Sequence, residues 1–245
     1  MIITSRSNPL VKKFASLSDK KFRRQYGEYL VEGIKPVREC MAAGGEIVNI
    51  ICTPRHEGLF AGATVVSEDV FKYISAEKTP QGIVASVKLS AGDVKPPRGA
   101  CLLLDRLQDP GNVGTIIRTA NAAGYEDIYL IDCADPFSPK SVRASMSGIF
   151  FVNAMCCSLE EAFKALVGVP LVTADMKGEN IFAFAPPEKF CLCIGNEGGG
   201  ISERIAGASS YTVRIPMRES CESLNAAVSA AVAMYALKNN VKEVQ

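Results

Sequence analysis

Two patterns of apolar and polar positions alternate along the chain, and each is typical of one kind of secondary structure. Short runs rich in β-branched and apolar residues predict strands, whereas apolar residues three and four positions apart predict helices. In the first part of the chain these patterns predict helices at 8–25, 34–45 and 68–76 and strands at 28–33, 47–53, 63–67 and 82–89. Asn8 is placed to cap the first helix, and Pro9 stands at its first position.

The segment 90–100, SAGDVKPPRGA, interrupts this pattern with two prolines and two glycines and is predicted to be a linker. Beyond it, strands at 101–107, 127–132, 150–157, 170–175, 190–195 and 211–217 alternate with helices at 112–124, 139–146, 158–167, 201–207 and 222–239. Continuous apolar strands that alternate with helices predict an α/β fold with a mostly parallel sheet. We therefore predict two domains, 1–92 and 99–245.

Charge is distributed unevenly along the chain. The net charge is only +1, but residues 1–40 contain nine Lys and Arg against four acidic residues. A basic segment on a nearly neutral protein favours contact with a polyanion. The candidate contact residues are Lys12, Lys13, Lys20, Lys21, Arg23 and Arg24. Charge alone leaves a second interpretation open, a solvated amphipathic helix whose buried stripe is Leu10, Phe14, Leu17 and Phe22.

Composition narrows the classes of function. No run of about 18 apolar residues predicts a membrane span, and the N-terminus lacks the apolar segment of a signal peptide. The nine cysteines form no CxxC pair, which favours reduced thiols in a cytoplasmic protein over disulfides or a zinc site. The single histidine, His56, lies in a turn-like segment. We therefore expect neither a histidine-based triad nor a bound metal.

Polar residues cluster in three segments that follow predicted strands of the second domain, at 112–118, 195–200 and 215–232. Ligands of open α/β sheets bind at such strand ends. The segments supply amides, hydroxyls, Glu197, Arg118 and much glycine backbone, which suits a cationic, adenosine-like ligand beside a polyanion. The spacing Gly111-x-x-Gly114, with Asp132 after the next strand, would also permit a nicotinamide or nucleotide site. That alternative is weakened because the full GxGxxG motif is missing.

Three ordered motifs resemble those of the SpoU/TrmH family of SPOUT-class RNA 2′-O-ribose methyltransferases. They are DPGNVGTIIRTANAAG at 109–124, IGNEGGGIS at 194–202 and IPMRESCESLNAAVSAAVAMYAL at 215–237. The segments 3–40 and 135–151 are also similar to the family, so the resemblance covers nearly the whole chain. One departure is visible, because Ser145-Met146-Ser147-Gly148 stands where relatives often have Ser-Met-Gly.

The resemblance implies a small N-terminal L30e-like α/β domain that binds RNA and a C-terminal SPOUT α/β domain with a deep trefoil knot. It also implies S-adenosylmethionine as cofactor, a homodimer, and RNA as substrate, ribosomal RNA before transfer RNA. The alanines of helix 222–239 would pack within the knot or across the dimer interface. A non-catalytic RNA-binding protein and a nucleotide-dependent oxidoreductase are the alternatives from other classes.

The site residues carried over from the resemblance fall into two groups. Those expected to hold the cofactor, largely through backbone groups, are Gly195, Gly198, Ile215, Met217, Ser223 and Leu224. Those expected to act in catalysis are Asn112, Arg118, Glu197, Ser223 and Asn225. From the sequence pattern, Asn112 also fits as the cap of helix 112–124. Glu197 is expected to orient Arg118 or the substrate region, or else to be an acidic residue at the start of helix 201–207. For Arg118 a clamp on phosphate and ribose oxygens is favoured over a general base, since a guanidinium loses its proton only above about pH 12.

Overall fold

The computed structural model of the protein describes residues 2–89, 93–221 and 223–240. Its N-terminal part contains α1 (Pro9–Ser16), α2 (Lys20–Tyr26), β1 (Glu28–Glu32), α3 (Ile34–Ala42), β2 (Ile47–Cys52), β3 (Thr64–Val65), α4 (Glu68–Ile74) and β4 (Ile83–Lys88). The strands form a sheet in the order β1-β4-β2-β3, in which β4 runs antiparallel to both of its neighbours. α1 and α4 cover one face of this sheet with a core that includes Phe14 and Phe71.

The helix predicted at 8–25 is two helices, so the single-helix prediction was wrong. Asn8 caps α1 through its side chain and Pro9 begins it, as predicted. The break follows from Asp19, whose carboxylate accepts the Lys21 N–H at 2.8 Å and starts α2 as a new helix. The break also changes the predicted buried stripe, because Phe14 and Leu17 are buried whereas Leu10 and Phe22 are only partly covered.

The second part of the chain forms the predicted α/β sheet with helices around it. Its elements are β5 (Cys101–Asp105), α5 (Pro110–Ala123), β6 (Asp127–Ile131), α6 (Pro139–Ala144), β7 (Asn153–Cys156), α7 (Leu159–Ala165), β8 (Leu171–Asn180), β9 (Cys191–Ile194), α8 (Glu203–Gly207), β10 (Tyr211–Arg214) and α9 (Ala226–Asn239). The strand order is β10-β8-β9-β5-β6-β7, and all described pairs are parallel. The prediction of a parallel sheet is confirmed, and the knot stays a prediction.

Several predicted boundaries were wrong by a few residues. β7 begins only at Asn153, because a 3-10 turn occupies Gly148–Phe150. α9 begins at Ala226, since the Asn225 side chain accepts the N–H groups of Ala227 and Val228 and caps the helix there. Residue 222 itself lies outside the described residues.

Buried contacts join the two sheets. The rings of Tyr29 on β1 and Phe137, in the connection after β6, lie 5.0 Å apart. The Arg23 guanidinium donates to the Asp135 carboxylate at 2.6 Å, and this pair is buried. An ion pair that is largely excluded from water is screened far less than one on the surface. The N-terminal part is therefore anchored beside the segment that follows β6.

The departure from the family pattern at Ser145-Met146-Ser147-Gly148 falls on strained backbone. Met146 and Ser147 have positive φ angles of 45° and 69°, a region where a residue with a Cβ is disfavoured. Ser147 is nevertheless buried, and its conformation brings Gly148 close to the backbone of Arg118 on α5. The strain is thus located directly under the helix that carries two of the predicted catalytic residues.

Replacing Ser147 with glycine should raise the free energy of unfolding by about 1 kcal/mol, because glycine adopts positive φ without a steric penalty. Urea unfolding checks this. The matched control is Ser145→Gly, which should destabilise the protein, since Ser145 has an ordinary φ of −71° and its hydroxyl donates to the Val142 carbonyl at 2.7 Å. Equal destabilisation by both changes would contradict the interpretation of Ser147 as strained.

No helix among the described residues is long and apolar enough to cross a bilayer.

Candidate active site

The polar segments predicted at strand ends do meet at one edge of the larger sheet. β5 and β9 are neighbours in the sheet, so the residues that follow them lie side by side. Asn112 was predicted to cap its helix, and this was wrong: Asp109 caps α5, with its carboxylate accepting the Gly111 N–H at 2.9 Å. Pro110 follows as the first helical residue. Because the cap is provided by Asp109, the Asn112 side chain is available for contacts outside the helix.

A chain of hydrogen bonds links one residue from each of the three motifs. Asn225 donates to the Asn112 side-chain carbonyl at 3.1 Å, and Asn112 donates to the Glu197 carboxylate at 3.0 Å. The direction of the chain follows from α9, because the Asn225 oxygen is already used as the helix cap and only its NH2 group is left to donate. Each amide therefore has a single orientation, and the chain ends on an acceptor.

The acceptor at the end of this chain is a carboxylate that stays charged at neutral pH. Partial burial by itself raises the pKa of Glu197, but hydrogen bonds from Asn112 and from backbone N–H groups outweigh it and hold the pKa below its ordinary value. Glu197 accepts a hydrogen bond from Asn112, and no hydrogen bond joins it to Arg118 among the described residues, so a role in orienting the substrate region stays a prediction. The alternative, an acidic residue at the start of the next helix, was wrong, because α8 begins after the cap residue Ser202 and the acid in its first turn is Glu203.

The glycine-rich segment that carries Glu197 is held at both of its ends. At its start, the Asn196 side chain donates to the Arg106 carbonyl at 2.7 Å and accepts the N–H groups of Gly198 and Gly199 at 2.9 Å. At its end, the buried Asp105 carboxylate accepts the Ser202 N–H at 2.7 Å. These contacts come from the end of β5 and give the segment one defined shape.

Gly195 shows why glycine is needed where β9 ends. A Cβ atom on Gly195 would overlap the backbone of Gly200 and Ile201, because the segment folds back on itself through paired backbone hydrogen bonds between Asn196 and Gly200. Gly195 itself lines the adjacent cavity. The glycine thus permits the chain to double back beside the cavity.

A cavity of about 310 Å³ lies beside this segment. Five of the six residues predicted to hold the cofactor line it: Gly195, Ile215, Met217, Ser223 and Leu224. Gly198 does not, since it is turned toward Asn196 in the tip of the loop. The lining is mostly apolar, and its charged residues are Asp175, Glu197 and Arg214, which suits an aromatic base and a ligand that carries charged groups.

Several lining residues lie outside the three predicted polar segments, among them Asp175 and Met176. Asp175 and Met176 lie on β8, the neighbour of β9, at the same edge of the sheet. Their position beside the cavity follows from the order of the strands in the sheet. That strand order cannot be obtained from sequence periodicity. Had β8 been known to pair with β9, the strand predicted at 170–175 would have pointed to this position.

Arg118 is exposed on α5, six residues beyond Asn112 and therefore about 9 Å farther along the helix axis. Among the described residues, no acceptor lies within hydrogen-bonding distance of its guanidinium. Ser223 is likewise exposed, at the rim of the cavity. The structure therefore brings Asn112, Glu197 and Asn225 into direct contact and leaves Arg118 and Ser223 open to solvent.

The basic residues of α1 and α2 do not all face outward. Lys12, Lys20, Lys21 and Arg24 are exposed. Arg23 was predicted to contact RNA, and this was wrong: the residue is 3% exposed, and its guanidinium is bonded to Asp135 and to the carbonyls of Leu17 and Ser18. Lys13 is half-buried and its ammonium pairs with the Glu28 carboxylate at 2.6 Å.

The glycine spacing that permitted a dinucleotide site has another explanation. A Cβ on Gly114 would overlap the Ser141 carbonyl and the Ala144 side chain, so this glycine allows α5 to pack closely on α6. Asp132, the proposed ribose ligand, is exposed with a positive φ of 47°. The Gly111-x-x-Gly114 spacing thus serves helix packing and does not form a phosphate loop.

Comparison with known proteins agrees with this geometry. Residues 99–235 match the SpoU rRNA methylase family, and residues 8–85 match the MRM3-like substrate-binding domain. The 23S rRNA (guanosine(2553)-2′-O)-methyltransferase RlmP of Bacillus subtilis is 33% identical over 96% of this chain and 98% of its own. The 23S rRNA (uridine(2479)-2′-O)-methyltransferase of Streptomyces viridochromogenes is 32% identical over 95% and 90%.

Solved structures are similar over the whole chain. The AdoMet-bound rRNA methyltransferase from Sinorhizobium meliloti superposes with a TM-score of 0.89 at 28% identity and covers 99% of both chains. The SpoU methyltransferase AviRb from Streptomyces viridochromogenes, solved in complex with AdoMet, gives 0.85 at 28% identity over 95% of this chain and 97% of its own. The resemblance inferred from the three motifs is confirmed, and the chain belongs to the SpoU rRNA methylase family.

Proposed function

We propose that the protein transfers a methyl group from S-adenosylmethionine to a ribose 2′-hydroxyl of RNA, with ribosomal RNA as the substrate. The observation that carries the proposal is the contact between Asn112, Glu197 and Asn225, one residue from each motif, beside a cavity lined by the expected cofactor residues. The family match supports the same enzyme class, and the Bacillus and Streptomyces relatives are named for 2′-O-methylation of 23S rRNA.

The cofactor fits the chemistry of the cavity. Ile215, Met217 and Leu224 give apolar cover for an adenine ring, and the carboxylates of Asp175 and Glu197 favour a ligand that carries positive charge. When bound, S-adenosylmethionine supplies an electrophilic methyl group on a sulfonium. The protein is left to position the ribose hydroxyl and to manage the negative charge that develops on its oxygen.

We assign this positioning to two groups of residues. The chain from Asn225 through Asn112 to Glu197 fixes the rim of the cavity, since every amide in it has one orientation. The exposed Arg118 clamps a phosphate and the developing alkoxide with its planar, charged fork of N–H groups. Ser223 offers a hydroxyl at the same rim.

We also infer a cytoplasmic homodimer. The small side chains Ala226, Ala227, Ala230 and Ala233 are buried against the protein's own core, and only Ala231 of that set is partly exposed. The outward face of α9 instead presents Val228 and Tyr235, which are 49% and 47% exposed. Sedimentation tests the dimer: the wild type should sediment as a dimer, and a Val228→Glu/Tyr235→Glu variant should sediment as a monomer. A monomeric wild type would refute the dimer.

The test of function is methyl transfer from isotopically labelled S-adenosylmethionine to purified ribosomal and transfer RNA, followed by mapping of 2′-O-methyl positions in RNA from cells that lack the protein. We expect label in ribosomal RNA and one missing ribose methylation. Label in transfer RNA would change the substrate, and RNA binding without affinity for S-adenosylmethionine would indicate a non-catalytic RNA-binding protein. Binding of NAD(H) in its place would indicate an oxidoreductase.

The exposed cations of α1 and α2 should provide a salt-dependent part of RNA affinity. Changing Lys12, Lys20, Lys21 and Arg24 to glutamine should reduce the slope of log affinity against log salt by about 3 for single-stranded RNA, at roughly 0.7 per neutralised contact. Cofactor affinity should not change. The control variant neutralises four exposed lysines elsewhere: Lys35, Lys72, Lys164 and Lys177. An equal slope change in that control would show that general charge, and not this surface, is responsible.

A further inference from the structure

Two aromatic rings lie one turn apart on the most basic helix of the protein. Phe22 and Tyr26 on α2 have ring centroids 6.5 Å apart and planes inclined by only 24°. Tyr26 is 43% exposed, although large rings are usually covered in a folded domain. Together the two rings form an aromatic strip at the surface, which we call the α2 platform.

Positive charges surround the α2 platform. The Lys13 ammonium lies 5.5 Å from the centroid of Tyr26 and is held there by its ion pair with Glu28. The Lys21 ammonium lies 5.7 Å from the centroid of Phe22. A purely apolar partner would have to desolvate these charges, whereas a nucleotide offers a flat base for the rings and a phosphate for the cations.

α2 lies at the same edge of the larger sheet as the candidate active site. Arg23, between the two rings in sequence, is anchored to Asp135, which follows β6. Lys20 and Arg24 are close to Cys156 at the end of β7, where packing raises the pKa of the thiol and these two cations partly oppose the rise. α2 therefore contacts the segment that follows β6, on the side of the sheet where β6 ends. In the strand order, β6 and β7 come directly after β9 and β5. Glu197 lies in the segment that follows β9, and Asn112 lies on the helix that follows β5.

We propose that the α2 platform stacks an unpaired base of the substrate RNA that flanks the methylated nucleotide. The proposal rests on the proposed function, because it assumes an RNA substrate. Stacking on Phe22 and Tyr26 gives affinity for single-stranded or looped RNA that is independent of salt, in contrast to the phosphate contacts of the exposed cations. The buried Arg23–Asp135 pair keeps the stacked base at a fixed distance from the site.

The test measures binding of a short fluorescent single-stranded RNA of mixed sequence, and of the same sequence as a duplex, at several salt concentrations. Tyr26→Ala should weaken binding of the single strand about tenfold, within the range measured for loss of one stacked base. The salt slope and duplex affinity should stay at wild-type values. Tyr26→Leu, which keeps apolar bulk without an aromatic face, should show the same loss, and Tyr26→Phe should bind like wild type.

Controls separate stacking from folding and from charge. Thermal melting and S-adenosylmethionine affinity of the Tyr26 variants should equal those of wild type, and Lys20→Gln should lower the salt slope instead. Wild-type affinity of both Tyr26→Ala and Tyr26→Leu for the single strand would overturn the proposal, as would an equal loss for duplex and single strand. If the wild type binds single-stranded RNA in this tyrosine-dependent manner but methylates no RNA, the proposed function is refuted. The stacking role of the α2 platform is not refuted by that result.

Discussion

Replacing Arg118 with lysine should remove most of the methyl-transfer rate, by about 100- to 1000-fold, as is typical when one donor to a developing oxyanion is lost. The guanidinium is exposed and, among the described residues, makes no hydrogen bond to a side chain. Its N–H groups are therefore available to donate to substrate oxygens. A lysine keeps the charge but cannot rebuild a two-pronged, planar contact. Cofactor affinity should be nearly unchanged, since Arg118 does not line the cavity.

Single-turnover methyl transfer as a function of pH, for wild type, Arg118→Lys and Arg118→Ala, distinguishes a clamp from a general base. A clamp predicts losses in both variants that do not depend on pH. If Arg118 were the base, the lysine variant would recover as pH rises toward the ordinary lysine pKa of about 10.4, whereas the alanine variant would stay inactive. Full activity of Arg118→Ala would remove this residue from the proposed site.

Replacing Gly195 with valine should abolish S-adenosylmethionine binding, and alanine should weaken it at least about tenfold, as expected from an overpacking cost of roughly 1–3 kcal/mol. Any Cβ at this position overlaps the backbone of Gly200 and Ile201, which also line the cavity, so the cavity wall must change shape. Calorimetric titration with S-adenosylmethionine measures the effect.

Gly198→Ala is the matched control, because a Cβ there would meet only the Asn196 oxygen, at 3.8 Å. It should bind the cofactor like wild type, although the sequence resemblance places both glycines in the cofactor site. Melting curves of each variant separate loss of the site from loss of the fold. If Gly195→Ala is folded and binds as tightly as wild type, or if Gly198→Ala fails in the same way as Gly195→Ala, the proposed role of Gly195 is refuted.

Local features that depend on few neighbours could be predicted from the chain. The cap at Asn8 and the first helical position of Pro9 follow from the chemistry of single residues, and both are present. The boundary errors arose where two residues compete for one role. Asp109 caps α5 in place of Asn112, and Asp19 divides the first helix, because a side-chain carboxylate can end or begin a helix without any change in hydrophobic period.

The sequence by itself determined the order of strands and helices, the parallel α/β sheet and the three motifs that identify the family, since each depends on residue type and spacing. Only the tertiary structure decided what those residues contact. It joined Asn112 to Glu197 and Asn225, which are 85 and 113 residues away in the sequence, and it buried Arg23 against Asp135. Such contacts depend on which strands are neighbours and on which side of a helix faces the core. A charge pattern cannot distinguish an arginine that faces RNA from one that is paired inside the protein.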